Sequence, residues 1–354
     1  MKGLKICALA LTLATLLCSC ALVDWIDGFM ERFQKDEKPA VSSSEPEPVD
    51  PNWPVEMGDV TIRKKPKRVV SLNPSITELV FDMELDTALK GVDDYCAYPE
   101  QAKELPRCGT EAMPEVEAIA NEDAQLVLVL NELPAAQYEA LLQADAEVIV
   151  LEKPQEIDKL PEYYEQIATI FLGKEDGPKR AKEFAEPLLA AYDEITEAVQ
   201  EADASRPLGC FMALLPLTMA TGDSLQGQLL EACGIENAAA ENSDWQYPED
   251  QLLAFNPEVL VFDTRTATLD EVKNHYNYKT TPCVVNERLL AVDGSAIENG
   301  GKRLFETVLE MARFANGELD LPERLDEREG GAKDEEPDDD SSDESNEEDS
   351  SSEE

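Results

Sequence analysis

Short runs rich in Val and Leu, each followed by a helix-like stretch, recur in two separate parts of this chain. "RVVSL", "LKGVD", "QLVLVL" and "EVIVLE" lie between residues 67 and 173, and "LGCFMALL", "EVLVFD" and "RLLAVDG" follow Pro207. Continuous apolar runs of this length read as strands buried on both faces, which is the habit of parallel sheets covered by helices. "SITELVFDMEL" and "KLPEYYEQIATIFLG" read as helices, the second stopped by Gly173. Between the two parts, Phe184, Leu188, Tyr192, Ile195 and Val199 recur every three or four residues along one face of a long helix. Pro187 is expected to kink that helix. The fold class is therefore α/β, with two parallel-sheet lobes joined by one long helix, a connection that allows far less hinge motion than crossing loops.

Local punctuation supports the second half. "DSLQGQLLEACG" offers Asp223 as a cap, Gln226 at the capping-box position and Gly234 as a stop. The halves also echo each other. Glu117 precedes "LVLVL" by nine residues and Asp250 precedes "VLVFD" by nine, with Ile119 and Leu252 two positions on. Acids at helix starts are favoured by the helix dipole in any case.

The ends of the chain say where it works. After "MKGLK", "ICALALTLATLL" is too short for a comfortable membrane span. It ends in "LCSC", an arrangement that resembles the bacterial lipobox, with Cys20 lipidated as the mature N-terminus. "KDEKPAVSSSEPEPVDPNWPVE" reads as an extended spacer. At the other end, residues 326–354 hold sixteen acidic side chains against two basic ones and should form a disordered, solvating tail. The expected segments are a signal peptide over 1–20, a spacer over 21–58, an N-terminal lobe over 59–174, a linker helix over 175–205, a C-terminal lobe over 206–317 and the tail over 318–354.

Composition removes several functions. A net charge of −46 argues against nucleic acid as a partner. His275 is the single histidine, placed in a polar stretch, and no Walker loop, G-x-G-x-x-G or H-E-x-x-H occurs. No catalytic constellation and no metal site is expected, because a bare Zn²⁺ or Mn²⁺ receptor wants several imidazoles. Beyond Cys20 stand Cys96, Cys108, Cys210, Cys233 and Cys283, an odd number. Cys210 and Cys283 read as buried small hydrophobes, and Cys96 with Cys108 has the option of a bridge across a loop.

"PKRVVSLNPSITELVFDMELDTALKGVDDYCAYPEQAKELPRCG", "EVEAIANEDAQLVLVL", "ATGDSLQGQLLEACGIEN" and "YPEDQLLAFNPEVLVFD" together resemble the class III substrate-binding proteins of ABC importers, which capture cobalamin, ferric siderophores and haem. The resemblance covers residues 59–316. It implies two Rossmann-like lobes with parallel sheets, a backbone helix between them and a ligand cleft where they face. In that family the Asn73-Pro74-Ser75 turn lies on the lip of the cleft, and Ser75 with Glu78 has the S-x-x-E spacing of a capping box. "DYCAYP" is similar to the cobalamin-binding branch, which places Tyr95 against a corrin ring. Trp245 or Tyr247 stands near a family tryptophan, and Arg265 is a candidate for an anionic ligand group or an ordinary surface arginine. Where that branch has tryptophans, this chain has Glu111 and the "NELP" loop, so the pocket should be less aromatic.

The resemblance also gives the echoed acids a role, with Glu117 and Asp250 crowning the lobes and docking on permease arginines. The expectation is a monomeric, lipid-anchored extracytoplasmic receptor without a cofactor. It hands a corrinoid, or else a ferric siderophore or haem, to an ABC permease and its ATPase. A surface scavenger or sensor without a transporter, and an enzyme on a related two-lobed fold, are the rival readings.

Overall fold

A computed structural model describes residues 50–202, 205–215, 218–246 and 254–317, with 319, 321 and 325. Cys20, the expected lipidation site, most of the spacer and the acidic tail lie outside the described residues, as do Tyr247 and Asp250.

The spacer expected to run to residue 58 stops earlier. Trp53 and Val55 are buried, and β1 (Val55–Met57) pairs antiparallel with β2 (Val60–Ile62). Two apolar anchors in a Pro- and Glu-rich segment are enough to fold it back. Asn52 then reaches the start of the linker helix, where its side-chain oxygen accepts from the Glu175 and Asp176 amides at 3.0 and 3.1 Å.

The N-terminal lobe is a four-stranded sheet in the order β4-β3-β5-β6, with β3 (Val69–Ser71), β4 (Leu89–Val92), β5 (Leu126–Val129) and β6 (Glu147–Val150) all parallel. Every residue of β3 and β5 is buried, as continuous Val/Leu runs require. Helices α1 (Pro74–Asp82), α2 (Val116–Asn121), α3 (Ala135–Gln143) and α4 (Leu160–Leu172) accompany it. The linker helix α5 (Asp176–Glu201) continues through Pro187. Its expected apolar face is the packed one: Leu188 and Ile195 are buried, Phe184 meets Tyr164 edge-on at 5.1 Å and Tyr192 meets Phe305 at 6.4 Å.

In the C-terminal lobe β7 (Leu208–Leu214), β10 (Val259–Asp263) and β11 (Leu289–Val292) are parallel. One edge departs from the all-parallel expectation. β9 (Glu236–Asn237) pairs parallel with β7, while β8 (Thr218–Met219) pairs with it antiparallel. The lobe's helices are α6 (Leu225–Ala232), α7 (Leu269–Asn274), α8 (Pro282–Val285), α9 (Gly294–Asn299) and α10 (Lys302–Asn316). The cap of α6 is Ser224, whose hydroxyl accepts from the Gly227 amide, and not Asp223. The Asp223 carboxylate is taken by the Thr221 hydroxyl at 2.6 Å and the Asp244 amide at 2.9 Å. Gly234 does follow the helix end in a left-handed conformation, with φ +82°.

One hydrophobic core runs beneath both lobes. It joins Val69, Ile76 and Leu128 of the first lobe to Phe211, Ile297 and Phe305 of the second, with Leu188 and Ile195 of α5 among them. Opening the lobes therefore means breaking shared packing as well as bending a helix. Cys96, Cys108, Cys210, Cys233 and Cys283 are all free and buried, so Cys96 and Cys108 form no bridge. Burial pushes the Cys108 thiol up to about 11. Among the described residues no helix is long and apolar enough to cross a membrane, and no group of three or more His, Cys, Asp or Glu is placed to hold a metal.

Candidate ligand cleft

Parallel sheets leave a crevice beyond the carboxyl ends of their strands where the strand order reverses. In the first lobe that point lies between β3 and β5. The loops leaving both sheets face each other across a cleft of about 760 Å³, within the usual range for a small-molecule site. The first lobe supplies Asn73, Pro74, Ser75, Tyr95, Tyr98 and Lys153, and the second supplies Thr264, Arg265, Asp293, Glu298 and Arg303.

The Asn73-Pro74-Ser75 turn opens α1, but its chemistry differs from the expected capping box. Asn73 is the cap: its side-chain oxygen accepts from the Ser75 amide at 2.9 Å, and Pro74 takes the first helical position, where no N–H is needed. That amide is thus unavailable to a ligand. The Ser75 hydroxyl donates across the cleft floor to the Asn299 carbonyl at 2.6 Å. Glu78, instead of reaching back to its own helix, is fully buried against the other lobe. It accepts from Asn299 Nδ2 at 2.7 Å and pairs with Arg303 at 2.5 Å. Tyr164 Oη donates to the Gly300 carbonyl at 2.7 Å and Asp82 accepts from the Lys302 amide at 2.9 Å. These contacts fasten α1 and α4 to the α9–α10 corner.

Glu111 stands where the resemblance implies an aromatic side chain, and it is taken up by hydrogen bonds. One carboxylate oxygen accepts from Asn73 Nδ2 at 3.1 Å and the Leu130 amide at 2.5 Å, and the other from Asn131 Nδ2 at 2.7 Å. It pins the turn after β3 to the loop after β5, on either side of the crevice.

Tyr95 stands at the cleft with 77% of its surface exposed, an aromatic face with nothing stacked on it among the described residues. Tyr98 lies under the Arg303 guanidinium, 4.0 Å from ring centroid to Cζ. Arg265 lines the cleft but is occupied. Its nitrogens donate to Asp263 at 2.6–3.1 Å and to Glu298 at 2.7 and 2.8 Å. Trp245 does not line the cleft; it sits in a left-handed conformation with its side chain packed on the common core. Glu117 is exposed in the first turn of α2. His275 ends α7, with its ring tilted over Tyr276 at 4.6 Å and Nδ1 accepting from the Asn277 amide.

Three cleft residues were not singled out by the sequence. Lys153 is a lone basic residue in a loop, Arg303 follows Lys302 at a helix start, and Tyr98 shares "DYCAYP" with Tyr95 and is distinguished only by its tertiary neighbours.

Two lobes with parallel sheets, a spanning helix and a cleft between strand ends define a bilobed small-molecule receptor. The comparisons place it further: residues 69–296 match the periplasmic binding protein family model, and the chain belongs to that family. It is similar to YvrC of Bacillus subtilis, an uncharacterized ABC transporter substrate-binding lipoprotein, with 26% identity over 72% of this chain and 81% of that protein. The vitamin B12-binding protein of Yersinia pestis is 27% identical over 58% of this chain and 72% of its own length. The apo periplasmic heme-binding protein RhuT of Roseiflexus superposes with a TM-score of 0.61 at 20% identity, covering 70% of this chain and 97% of that one, a likeness of fold. The protein is thus an extracytoplasmic substrate-binding component of an ABC transporter, a transport part and not an enzyme, with a permease and ATPase as its partners.

Proposed function

We propose that the protein captures a flat macrocycle, a corrinoid before a haem or ferric siderophore, and delivers it to its permease from a lipid anchor at Cys20. The observation that carries this is the exposed Tyr95 ring on a 760 Å³ cleft. A broad apolar face with a polar edge suits a planar ligand. The resemblance of "DYCAYP" and the name of the Yersinia relative point to the same ligand class. The occupied arginines speak against a polyanionic chelate, because Arg265 and Arg303 each already hold two carboxylates.

Native mass spectrometry of the mature protein against cyanocobalamin, haemin and a ferric siderophore panel tests the ligand. Retention of a siderophore alone would refute the corrinoid reading. Cys20→Ala should release the protein from membranes. Glu117 and Asp250 are proposed as the docking acids, and reversing both to lysine should block uptake while leaving equilibrium affinity unchanged.

A further inference from the structure

The cleft holds three basic side chains in unequal situations. Arg265 is shared between Asp263 and Glu298, and Arg303 between Glu78 and Asp293, with salt-bridge distances of 2.5–2.9 Å. Neither guanidinium can turn to a ligand without leaving carboxylates unpaired, one of them fully buried. Lys153, on the loop after β6, is different. It lines the cleft, its Cε lies 3.5 Å from where a side chain on Gly300 would begin, and among the described residues no carboxylate lies within ion-pair distance of it. The charged groups that face it are Glu298 on α9 and Glu78 on α1, both held by arginines. Burial pulls its ammonium down to about 8. A partly desolvated cation without a partner is a cost that an incoming anion would offset.

We propose that Lys153 is the anion anchor of the cleft, seating one phosphate or carboxylate oxygen group of the captured ligand. The cleft then selects ligands that carry one such group over relatives that lack it. This rests on the cleft being the capture site for a macrocycle. Lys153 is protonated at neutral pH, and a bound anion holds the proton more firmly. Affinity is therefore full below about pH 8 and falls as pH rises past it.

Calorimetry on the mature protein tests this with cyanocobalamin, which has one phosphodiester, dicyanocobinamide, which lacks it, and haemin, which has two carboxylates. Lys153→Met should weaken cyanocobalamin about tenfold, the worth of one charged hydrogen bond, and leave dicyanocobinamide within about twofold. Lys153→Arg should recover most of the loss. The wild-type preference for cyanocobalamin should shrink between pH 7 and pH 9.5, and that of Lys153→Met should not move. If the wild type takes haemin instead, the same tenfold loss should appear with haemin. A Lys153→Met or Lys153→Gln variant that melts like wild type and binds the chosen ligand equally well overturns the anchor and leaves the capture reading standing. A wild type that binds none of the three overturns that reading, and the anchor with it.

Discussion

On the first lobe's wall the loops after β3 and β5 are tied through Glu111, while on the second lobe's wall the loops after β10 and β11 are tied through Asp263. Both devices are one carboxylate spanning adjacent strand ends, yet their donors differ. Glu111 takes two side-chain amides and a backbone amide. Asp263, almost fully buried, takes the Arg265 guanidinium and the Gly294 amide, and a side chain on Gly294 would meet its oxygen at 2.1 Å. A tie made of neutral donors leaves the first wall free to present Tyr95 and Lys153. A tie made of an arginine turns the second wall into a closed ionic lattice that continues into Glu298, Asp293 and Arg303. On the proposed reading, recognition falls to the first lobe's wall, while the basic groups of the second wall are held by carboxylates.

The division can be broken at its strongest point first. Glu78→Ala removes one partner of a buried pair and strands Arg303, so a loss of about 3–5 kcal/mol is expected by denaturant unfolding; a loss below about 1 kcal/mol would show that the lobes are not fastened there. Glu111→Ala should cost about 2 kcal/mol. Its faster hydrogen exchange should be confined to the turn after β3 and the loop after β5, and equal exchange gains around Ser295 would erase the distinction between the walls. Tyr95→Ala should leave the melting temperature unchanged, because the ring is mostly exposed, and weaken macrocycle binding by about 0.5–1.5 kcal/mol beyond lost area.

The last effect is in pH. Burial raises Asp82 and Asp93 of the first lobe to about 6, so the folded state holds extra protons between about pH 4 and 6 and stability falls as pH rises through that window. Asp223 of the second lobe is depressed, chiefly by the Thr221 hydroxyl; its contribution is present at neutral pH and is lost only as pH falls below the ordinary carboxylate range. Asp82→Asn should flatten the first slope, a change of about 2 kcal/mol between pH 4 and 7, with no effect on the second. A slope unchanged in Asp82→Asn would clear Asp82 of the role.

The strands were legible because β3, β5 and β10 are buried on both faces and carry nothing but apolar or end-of-strand residues. The capping boxes were less so, for an identifiable reason. Glu78 had the right spacing to Ser75, but partners more than two hundred residues away, Asn299 and Arg303, outbid a local amide. Asn73 before Pro74 was the better cap signal, being an asparagine followed by a residue fixed at a helical φ. Arg265 was visible as a basic residue beside the cleft; that Glu298, thirty-three positions on, would claim it was not. Trp53 and Val55 were hidden by the prolines and glutamates around them.

The common core beneath the lobes bears on how the membrane partner tells a loaded receptor from an empty one. A receptor that snaps shut advertises its cargo by its outline. Here the Glu78–Arg303 clasp and the shared packing oppose such a change of outline. An unloaded copy would then compete with a loaded one for the same landing site, and surplus receptor would slow uptake instead of speeding it. Efficient import then depends on keeping receptor copies few relative to ligand, or on the cargo itself completing the surface on which the permease acts.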